Sequence, residues 1–590
     1  MPALQQVPER FVDSSDGVRI AVYEEGNREG PTVVLVHGFP DSHVLWDGVV
    51  PLLAERFRVI RYDNRGVGMS SAPKAVSAYA MPRFADDFAA VIGELSPGAP
   101  VHVLGHDWGS VGVWEYLTRP GAGDRVASFT SVSGPSQDQL VDYIFSGLRR
   151  PWRPRRFLRS LSQALRLTYM ALFSVPVLAP LFLRLALSIP ALRRNAVDNI
   201  PDEKIHHSGQ LPGDAARSVK TYPANYFRSF ALKRQVPVVD VPVQLIVNTE
   251  DKYVRPYGYD EAARWVPRLW RRDIKAGHFS PMSHPQVMAA AVADFADLAE
   301  GKRPSRAMLR AQVGRPRDYF GDTLVSVTGA GSGIGRAAAF AFAREGAELV
   351  VSDVDEATVK ETAAEIVARG GVAHAYVLDV SDADAVEAFA ERVSAEHGVP
   401  DIVVNNAGIG AAGSFLDTPA EEWDRVLDIN LGGVVNGCRS FGRRLVERGT
   451  GGYIVNVASM AAYAPLQSLN AYCTSKAATY MFSDCLRAEL DAAGIGLTTI
   501  CPGVINTNII STTRFHAAGG KDDTVDDRRG QIGRMFALRH YGPDKVADAI
   551  LSSVKKHKPI RPVAPEAYAL YGLSRLAPQA LRSTARVRVI

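Results

Sequence analysis

The sequence predicts an α/β protein made of two consecutive units, each built around a parallel β-sheet. Apolar runs bounded by turn residues recur as TVVLVHG, RVIRYD, VHVLGHD and VQLIVNT in the first half, and as TLVSVTG, ELVVSD, DIVVNN and GYIVNVAS in the second. Helical stretches separate them, and runs apolar on both faces belong to buried parallel strands joined by crossover helices. Residues 301–318, GKRPSRAMLRAQVGRPRD, are rich in Arg, Gly and Pro and read as a linker between 1–300 and 319–590, with a short surface helix as the alternative.

Composition sets the outer limits. With 590 residues and 46% hydrophobic content the chain buries sizeable cores, which excludes a disordered, collagen-like or small disulfide-stapled protein. The 67 basic against 63 acidic residues leave a net charge of +4, too small to point to nucleic acid. Cys438, Cys473, Cys485 and Cys501 show no ligand-like spacing, so a reduced, cytoplasmic protein without a metal site is expected. The opening MPALQQVPERFV lacks the charged-then-apolar pattern of a secretory signal.

Residues 136–235 break the strand pattern with helical, basic and apolar sequence, and read as a lid inserted over the first sheet. The uncharged run from Leu167 to Leu183 is interrupted by Pro176 and Pro180 and is short for a membrane span of about 20 residues. The flanking arginines leave a peripheral contact with the inner face of a membrane open as an alternative.

In the first half, VHVLGHDWGS places Asp107 in a Gly105-His106-Asp107-Trp108-Gly109 turn after a strand. This is the strand-to-helix elbow that exposes a nucleophile, with Asp where hydrolases usually carry Ser. His37-Gly38-Phe39-Pro40 follows an earlier strand, Asp63-Asn64-Arg65-Gly66 another, Asp251 follows VQLIVNTE, and His278 lies in KAGHFSP. Nucleophile, acid and histidine occur in that chain order. On these residues the first half resembles the epoxide hydrolase and haloalkane dehalogenase branch of the α/β-hydrolase fold. The resemblance implies that Asp107 attacks an sp³ carbon, that His278 activates water against the resulting ester, and that Asp251 orients His278, with Glu250 as its rival. Backbone amides of Phe39 and Trp108 are the expected oxyanion donors. Phe39, which lacks a side-chain amide to hold halide, favours the epoxide reading. Carried over by position, Tyr169 and Tyr222 are the proton donors to the epoxide oxygen, with Tyr226 as a rival. Packing tyrosines of a helical lid are the simpler alternative.

In the second half, TLVSVTGAGSGIGRAAAFAFAREGAELVVSDVD reads strand, glycine loop, helix, strand. Gly329, Gly333 and Gly335 permit a tight turn and close approach to a pyrophosphate, together with Ser332 and Ile334. Asp353 ends the second strand, where a carboxylate accepts from ribose hydroxyls and repels a 2′-phosphate, so NAD is expected over NADP. Arg336 reads as a helix-surface residue. The stretch 319–560 resembles the short-chain dehydrogenase/reductase family. By that resemblance Asp379 and Val380 contact adenine, and Asn405, Asn406, Ala407 and Gly408 steady the strand beside the cofactor. Pro502, Gly503, Ile505 and Thr507 form the nicotinamide-side loop. Asn430, Ser459, Tyr472 and Lys476 are the catalytic tetrad. Tyr472 and Lys476 are four apart, so they share one helix face, and the lysine is expected to lower the phenol pKa.

The order of the halves resembles the actinobacterial epoxide hydrolase D type of fusion. It implies a bifunctional enzyme acting on a hydrophobic or lipid-like substrate, with no nucleic-acid partner and a homo-oligomeric state. A dehydrogenase carrying a non-catalytic lipid-binding module, or a dehalogenase first half, are the alternatives. The basic tail after 560 reads as a subunit contact or a membrane-surface helix.

Overall fold

The computed structural model describes residues 7–196, 200–226, 236–507, 509, 513–516 and 541–584. The chain divides into two compact units, Met1–Arg315 and Pro316–Ile590.

The first unit is built on eight strands: β1 (Arg10–Asp13), β2 (Arg19–Gly26), β3 (Thr32–Val36), β4 (Arg58–Tyr62), β5 (Val101–His106), β6 (Val126–Val132), β7 (Val243–Asn248) and β8 (Leu269–Ile274). Their order is β1-β2-β4-β3-β5-β6-β7-β8. From β4 to β8 every pairing is parallel, whereas β1 and β2 enter antiparallel. That hairpin departs from the all-parallel expectation because a strand joined to its neighbour by a short turn runs antiparallel. The two faces of the sheet carry separate cores, one around Phe88, Trp114 and Phe129, the other around Trp46, Leu53 and Met288.

The described residues between 136 and 226 are largely helical, including Gln137–Leu148, Pro154–Arg166, Tyr169–Phe173, Leu178–Ser188, Leu211–Ser218 and Thr221–Tyr226. Residues 197–199 and 227–235 of the predicted lid lie outside the described residues. A core of its own joins lid to sheet: Met170, Leu183, Leu187 and Tyr222 pack with Tyr79, Met81, Phe84 and Trp108. Among the described residues no single helix is long and apolar enough to cross a membrane.

The linker expectation needs correcting. Within 301–318, Arg306–Ala311 is helical, capped by Ser305, and buries Met308 and Ala311. Val313 N–H donates to Leu269 O at 2.9 Å, beside a bridge between Gln312 and Trp270. The stretch therefore folds onto the free edge of β8, where its amides find partners that a solvated linker lacks. Only the residues around Arg315–Pro316 separate the units.

The second unit holds β9 (Leu324–Thr328), β10 (Glu348–Asp353), β11 (Val372–Val377), β12 (Ile402–Asn405), β13 (Ala411–Gly413), β14 (Gly452–Val457), β15 (Ile495–Pro502), β16 (Arg514–His516) and β17 (Ile560–Val563). Seven form one sheet in the order β11-β10-β9-β12-β14-β15-β17, and β13 pairs with β16 apart from it. Every pairing in the large sheet is parallel. The chain moves outward from β9 to β11 and then restarts at β12 on the other side of β9. That switch point opens a crevice at the carboxyl ends of β9 and β12, the ligand position in doubly wound sheets.

Candidate active sites

In the first unit Asp107 begins the helix Asp107–Leu117 directly after central strand β5, with φ of +47°. A non-glycine residue in that region carries strain of about 1–3 kcal/mol, which surrounding contacts hold in place. A Cβ on Gly109 would lie 2.2 Å from the His37 carbonyl oxygen, so only glycine lets the helix start this close to the loop after β3. The elbow lifts the carboxylate out of the sheet. Phe39 N–H donates to Asp107 Oδ2 at 2.8 Å, and the Trp108 amide faces the same carboxylate. Asp107 Oδ1 stands 3.7 Å from His278 Nε2. On its other side, His278 Nδ1 meets Asp251 Oδ2 at 3.0 Å. Asp251 is fixed in turn by amides of Tyr253 (2.7 Å) and Val254 (3.0 Å) on Oδ1. Glu250 points away, its side chain 57% exposed and 4.0 Å from Lys275, so Asp251 is the carboxylate paired with His278.

The electrostatics follow from this clamp. Desolvation pushes the Asp107 and Asp251 carboxyls up, but the adjoining His278 imidazole and backbone amides outweigh it and hold both below the usual range. Desolvation works against a charged His278, and the two carboxylates reverse that, raising it to about 10. At neighbouring His106 burial and the His278 charge outweigh the pull of Asp107 and Asp41, and take it down to about 4.

The lid carries Tyr169 and Tyr222 to this site. Their rings meet edge to face at 5.8 Å, and Tyr222 packs edge-on against Trp108 at 5.5 Å and Phe39 at 5.1 Å. Desolvation holds both phenols well above their ordinary pKa, and the Asp107 charge adds to the rise. Tyr226 sits at the margin of the same lid core. Tyr253 was not singled out from the sequence. Its ring stands 4.7 Å from His278 and 5.2 Å from Tyr169, joining the two groups. Its place two residues after Asp251 was the available signal.

The second unit has a cleft of about 990 Å³ at its switch point. Its lining includes Gly329, Ser332, Gly333, Ile334, Asp353, Asp379, Val380, Asn406, Ala407, Gly408, Ser459, Tyr472, Lys476, Pro502, Gly503, Ile505 and Thr507. Asp353 Oδ2 accepts from Gly331 N–H at 2.8 Å, tying the end of β10 to the glycine loop. A Cβ on Gly335 would fall 2.1 Å from the Gly329 carbonyl oxygen, so the loop closes onto its helix only with glycine there. Asn406 Nδ2 donates to Thr328 O and Gly329 O at 3.0 and 3.2 Å, and Asn405 Nδ2 to Asn456 Oδ1 at 2.8 Å, fastening β12 to both neighbours. Arg336 pairs with Glu365 and Glu361 on a neighbouring helix, as a surface residue would. These residues fit a nicotinamide dinucleotide: a glycine cradle that a Cβ would fill, and a carboxylate at the end of β10.

Asn430 lies in a π-turn, Asp428–Gly432, which aims its side chain between Ile409 (2.8 Å to N, 3.0 Å to O) and Ser475 Oγ (3.1 Å). A Cβ on Gly408 would meet Asn430 Oδ1 at 3.0 Å and Lys476 Nζ at 3.3 Å, so these two groups converge on one point. Tyr472 and Lys476 share the helix Asn470–Asp491, and Lys476 Nζ donates to Val457 O at 3.1 Å. The expectation of a lowered Tyr472 phenol fails in this geometry. Desolvation raises it, and only a hydrogen bond with Ser459 offsets the rise. Lys476 contributes little because its ammonium is turned to the Val457 carbonyl, and burial lowers its own pKa to about 8. Glu566, missed in the sequence, accepts from Val504 N–H at 2.8 Å and holds the loop after β15.

Comparison with known proteins agrees with this division. The alpha/beta hydrolase fold model matches residues 31–285, and the short chain dehydrogenase model matches residues 323–517. The protein named "Probable oxidoreductase EphD" from Mycobacterium tuberculosis strain H37Rv is 81% identical over 593 residues, covering 100% of both chains. The chain belongs to the EphD family. An EphD-type chain is thus an α/β-hydrolase followed by a short-chain dehydrogenase. Its second half is similar to a short chain dehydrogenase/reductase from Burkholderia phymatum solved in complex with NAD, at 27% identity and TM-score 0.40, covering 45% of this chain and 95% of that one. A Beutenbergia cavernae chain with bound NADP is 31% identical at TM-score 0.36, covering 42% of this chain and 98% of that one.

Proposed function

We propose that the chain is a bifunctional enzyme: an epoxide hydrolase working through Asp107, and an NAD-dependent oxidoreductase of secondary alcohols and ketones working through Tyr472, both on hydrophobic, lipid-like substrates. The packing of two lid tyrosines beside the Asp107 elbow, close enough for its charge to act on both phenols, supports the first activity most strongly. With Oδ2 held by the Phe39 amide, and the Trp108 amide on the same carboxylate, Oδ1 attacks an epoxide carbon. The C–O bond breaks, and the leaving oxygen takes a proton from Tyr169 or Tyr222, whose raised pKa keeps the phenols protonated until that moment.

Ester formation removes the Asp107 charge. That loss withdraws one of the two carboxylates that keep His278 protonated, so its pKa falls as the ester appears. The imidazolium proton passes to the tyrosinate left by ring opening, and neutral His278 then takes a proton from water. Hydroxide adds to the ester carbonyl, the Phe39 and Trp108 amides hold the oxyanion, and as the ester C–O bond breaks the new acid's proton passes to the departing alkoxide, which leaves as the diol and restores the Asp107 carboxylate.

In the second unit the glycine loop and Asp353 hold NAD, which accepts or returns a hydride when bound. Ser459 orients the substrate oxygen, Tyr472 gives that oxygen a proton in reduction and takes one from it in oxidation, and Asn430 and Lys476 position the relay. Asp353 favours a free 2′-hydroxyl, hence NAD over NADP. Apolar lining from Ile409, Ala412, Leu466, Leu469 and Phe515 suits a hydrocarbon chain.

Intact-mass spectrometry of His278→Gln after exposure to a mid-chain epoxide tests the first reading. An adduct of the epoxide's full mass, mapped to Asp107, is expected. Unmodified protein, under conditions where wild type consumes the epoxide, would contradict the covalent route.

A further inference from the structure

We infer that the outer face of the lid is a docking surface for an anionic phospholipid bilayer. The helix Pro154–Arg166 is inside out. It buries Ser160 and Gln163, which are satisfied by Tyr143 O, Tyr253 O and Arg255 N–H, and turns Leu158, Leu161 and Leu165 to solvent. Leu158 and Leu165 are 60% and 61% exposed. The helix Leu178–Ser188 is apolar on both sides. Ala179, Leu183 and Leu187 face the lid core, while Leu178, Leu181, Phe182 and Leu185 repeat the same helical spacing outward. Between the helices, Leu172, Val175 and Val177 are exposed, Val177 by 76%.

Such a continuous apolar face marks an interaction site, and charge identifies the partner. Residues 143–197 contain ten arginines and no lysine, aspartate or glutamate. Arg156 and Arg159 pair with Glu261 and Asp260 and tie the lid to the body. Arg149, Arg150, Arg153, Arg155, Arg166 and Arg184, on or beside the same helices, are exposed. An apolar centre flanked by an excess of arginines matches hydrocarbon beneath anionic headgroups.

The lid lies on a bilayer rather than crossing one. Pro154–Phe173 and Leu178–Ser188 are bent by 99° to each other, and the inner residues of both are committed to the core around Trp108 and Tyr222. Leu172 at the outer face and Tyr169 at the active site belong to the same short helix, so this surface adjoins the place where an apolar epoxide reaches Asp107. That last link rests on the proposed hydrolase activity; bilayer docking itself does not.

Co-sedimentation of the full chain with vesicles of equal phosphatidylglycerol and phosphatidylcholine tests it. Wild type is expected to pellet, with affinity falling at least about tenfold on pure phosphatidylcholine or in 0.5 M salt. Leu178→Ser/Leu181→Ser/Phe182→Ser/Leu185→Ser, and separately Arg149→Gln/Arg150→Gln/Arg153→Gln/Arg155→Gln, are expected to lose at least about tenfold in binding. Both should keep alcohol oxidation and turnover of a short soluble epoxide, which shows that they fold. Wild type remaining in the supernatant, or variants pelleting like wild type, would overturn the inference. So would a face that proves to join two copies, seen as variants that break a wild-type dimer in sedimentation velocity without changing vesicle binding.

Discussion

Loss of water acts on Asp107 in the first unit and on Tyr472 in the second in the same direction, raising the pKa of each, yet the outcomes are opposite. At Asp107 the rise is overcome by His278 and the elbow amides, leaving an ionised carboxylate. At Tyr472 it is offset only by Ser459, leaving a phenol that keeps its proton. The ordinary carboxyl and phenol pKa values, about 3.9 and 10, already separate the two groups, and cation placement decides how far burial moves each. His278 is clamped between two carboxylates, while Lys476 spends its ammonium on the Val457 carbonyl. Burial is thus overcome or left standing according to which neighbour faces the oxygen.

The sharpest way to break this comparison is to disable one centre at a time. Asp107→Asn should lower epoxide turnover by roughly 10⁴-fold or more and leave alcohol oxidation unchanged. Tyr472→Phe should do the reverse, costing roughly 10²- to 10⁴-fold in oxidation alone. Cross-effects in either assay would mean that the two centres are not independent. Asp251→Asn should cost up to about 10⁴-fold in epoxide turnover because it frees His278 to adopt the wrong tautomer; Glu250→Gln, measured alongside, should cost nothing.

Tyr169→Phe and Tyr222→Phe should each slow ring opening roughly 10- to 100-fold, with the double variant near the sum of both barriers. Wild-type rates in all three would return the tyrosines to a packing role. Asp353→Asn should shift the ratio of kcat/KM for NAD over NADP downward by roughly 10- to 100-fold, the worth of charge-assisted hydrogen bonds to ribose.

The smallest effect concerns stability. Folded His106 titrates near pH 4, against about 6.5 unfolded. Between these values the unfolded chain binds a proton that the folded chain refuses. The first unit therefore loses stability as pH falls from about 6.5 toward 4, by up to about 3 kcal/mol from this group. His106→Asn should flatten that part of the profile, read as the difference in denaturation midpoint between pH 7 and pH 5.

Much of this was legible in the sequence because the residues are locally constrained. The elbow at Asp107, the glycine loop from Gly329 to Gly335, and the i,i+4 pair Tyr472/Lys476 each announce their geometry through spacing. Strand-sized apolar runs gave both sheets. Less legible was whatever depends on distant packing. The antiparallel β1–β2 entry and the docking of 301–313 on β8 depend on which sheet edge lies nearby. Tyr253 and Glu566 act through contacts that no short motif encodes. The pKa expectation for Tyr472 failed because spacing places a lysine on the same helix face but does not say where its ammonium turns. The lid gave its charge and apolarity, but only the structure shows that Pro154–Arg166 turns its leucines outward.

The central claim is that one chain holds two working centres of different chemistry. Mass spectrometry of products from a mid-chain epoxy fatty acid incubated with the full chain and NAD⁺ tests it most directly. The account predicts the vicinal diol, formed even without NAD⁺, followed by hydroxyketone once NAD⁺ is supplied. Unchanged epoxide, from a preparation that still oxidises a simple secondary alcohol, would contradict it.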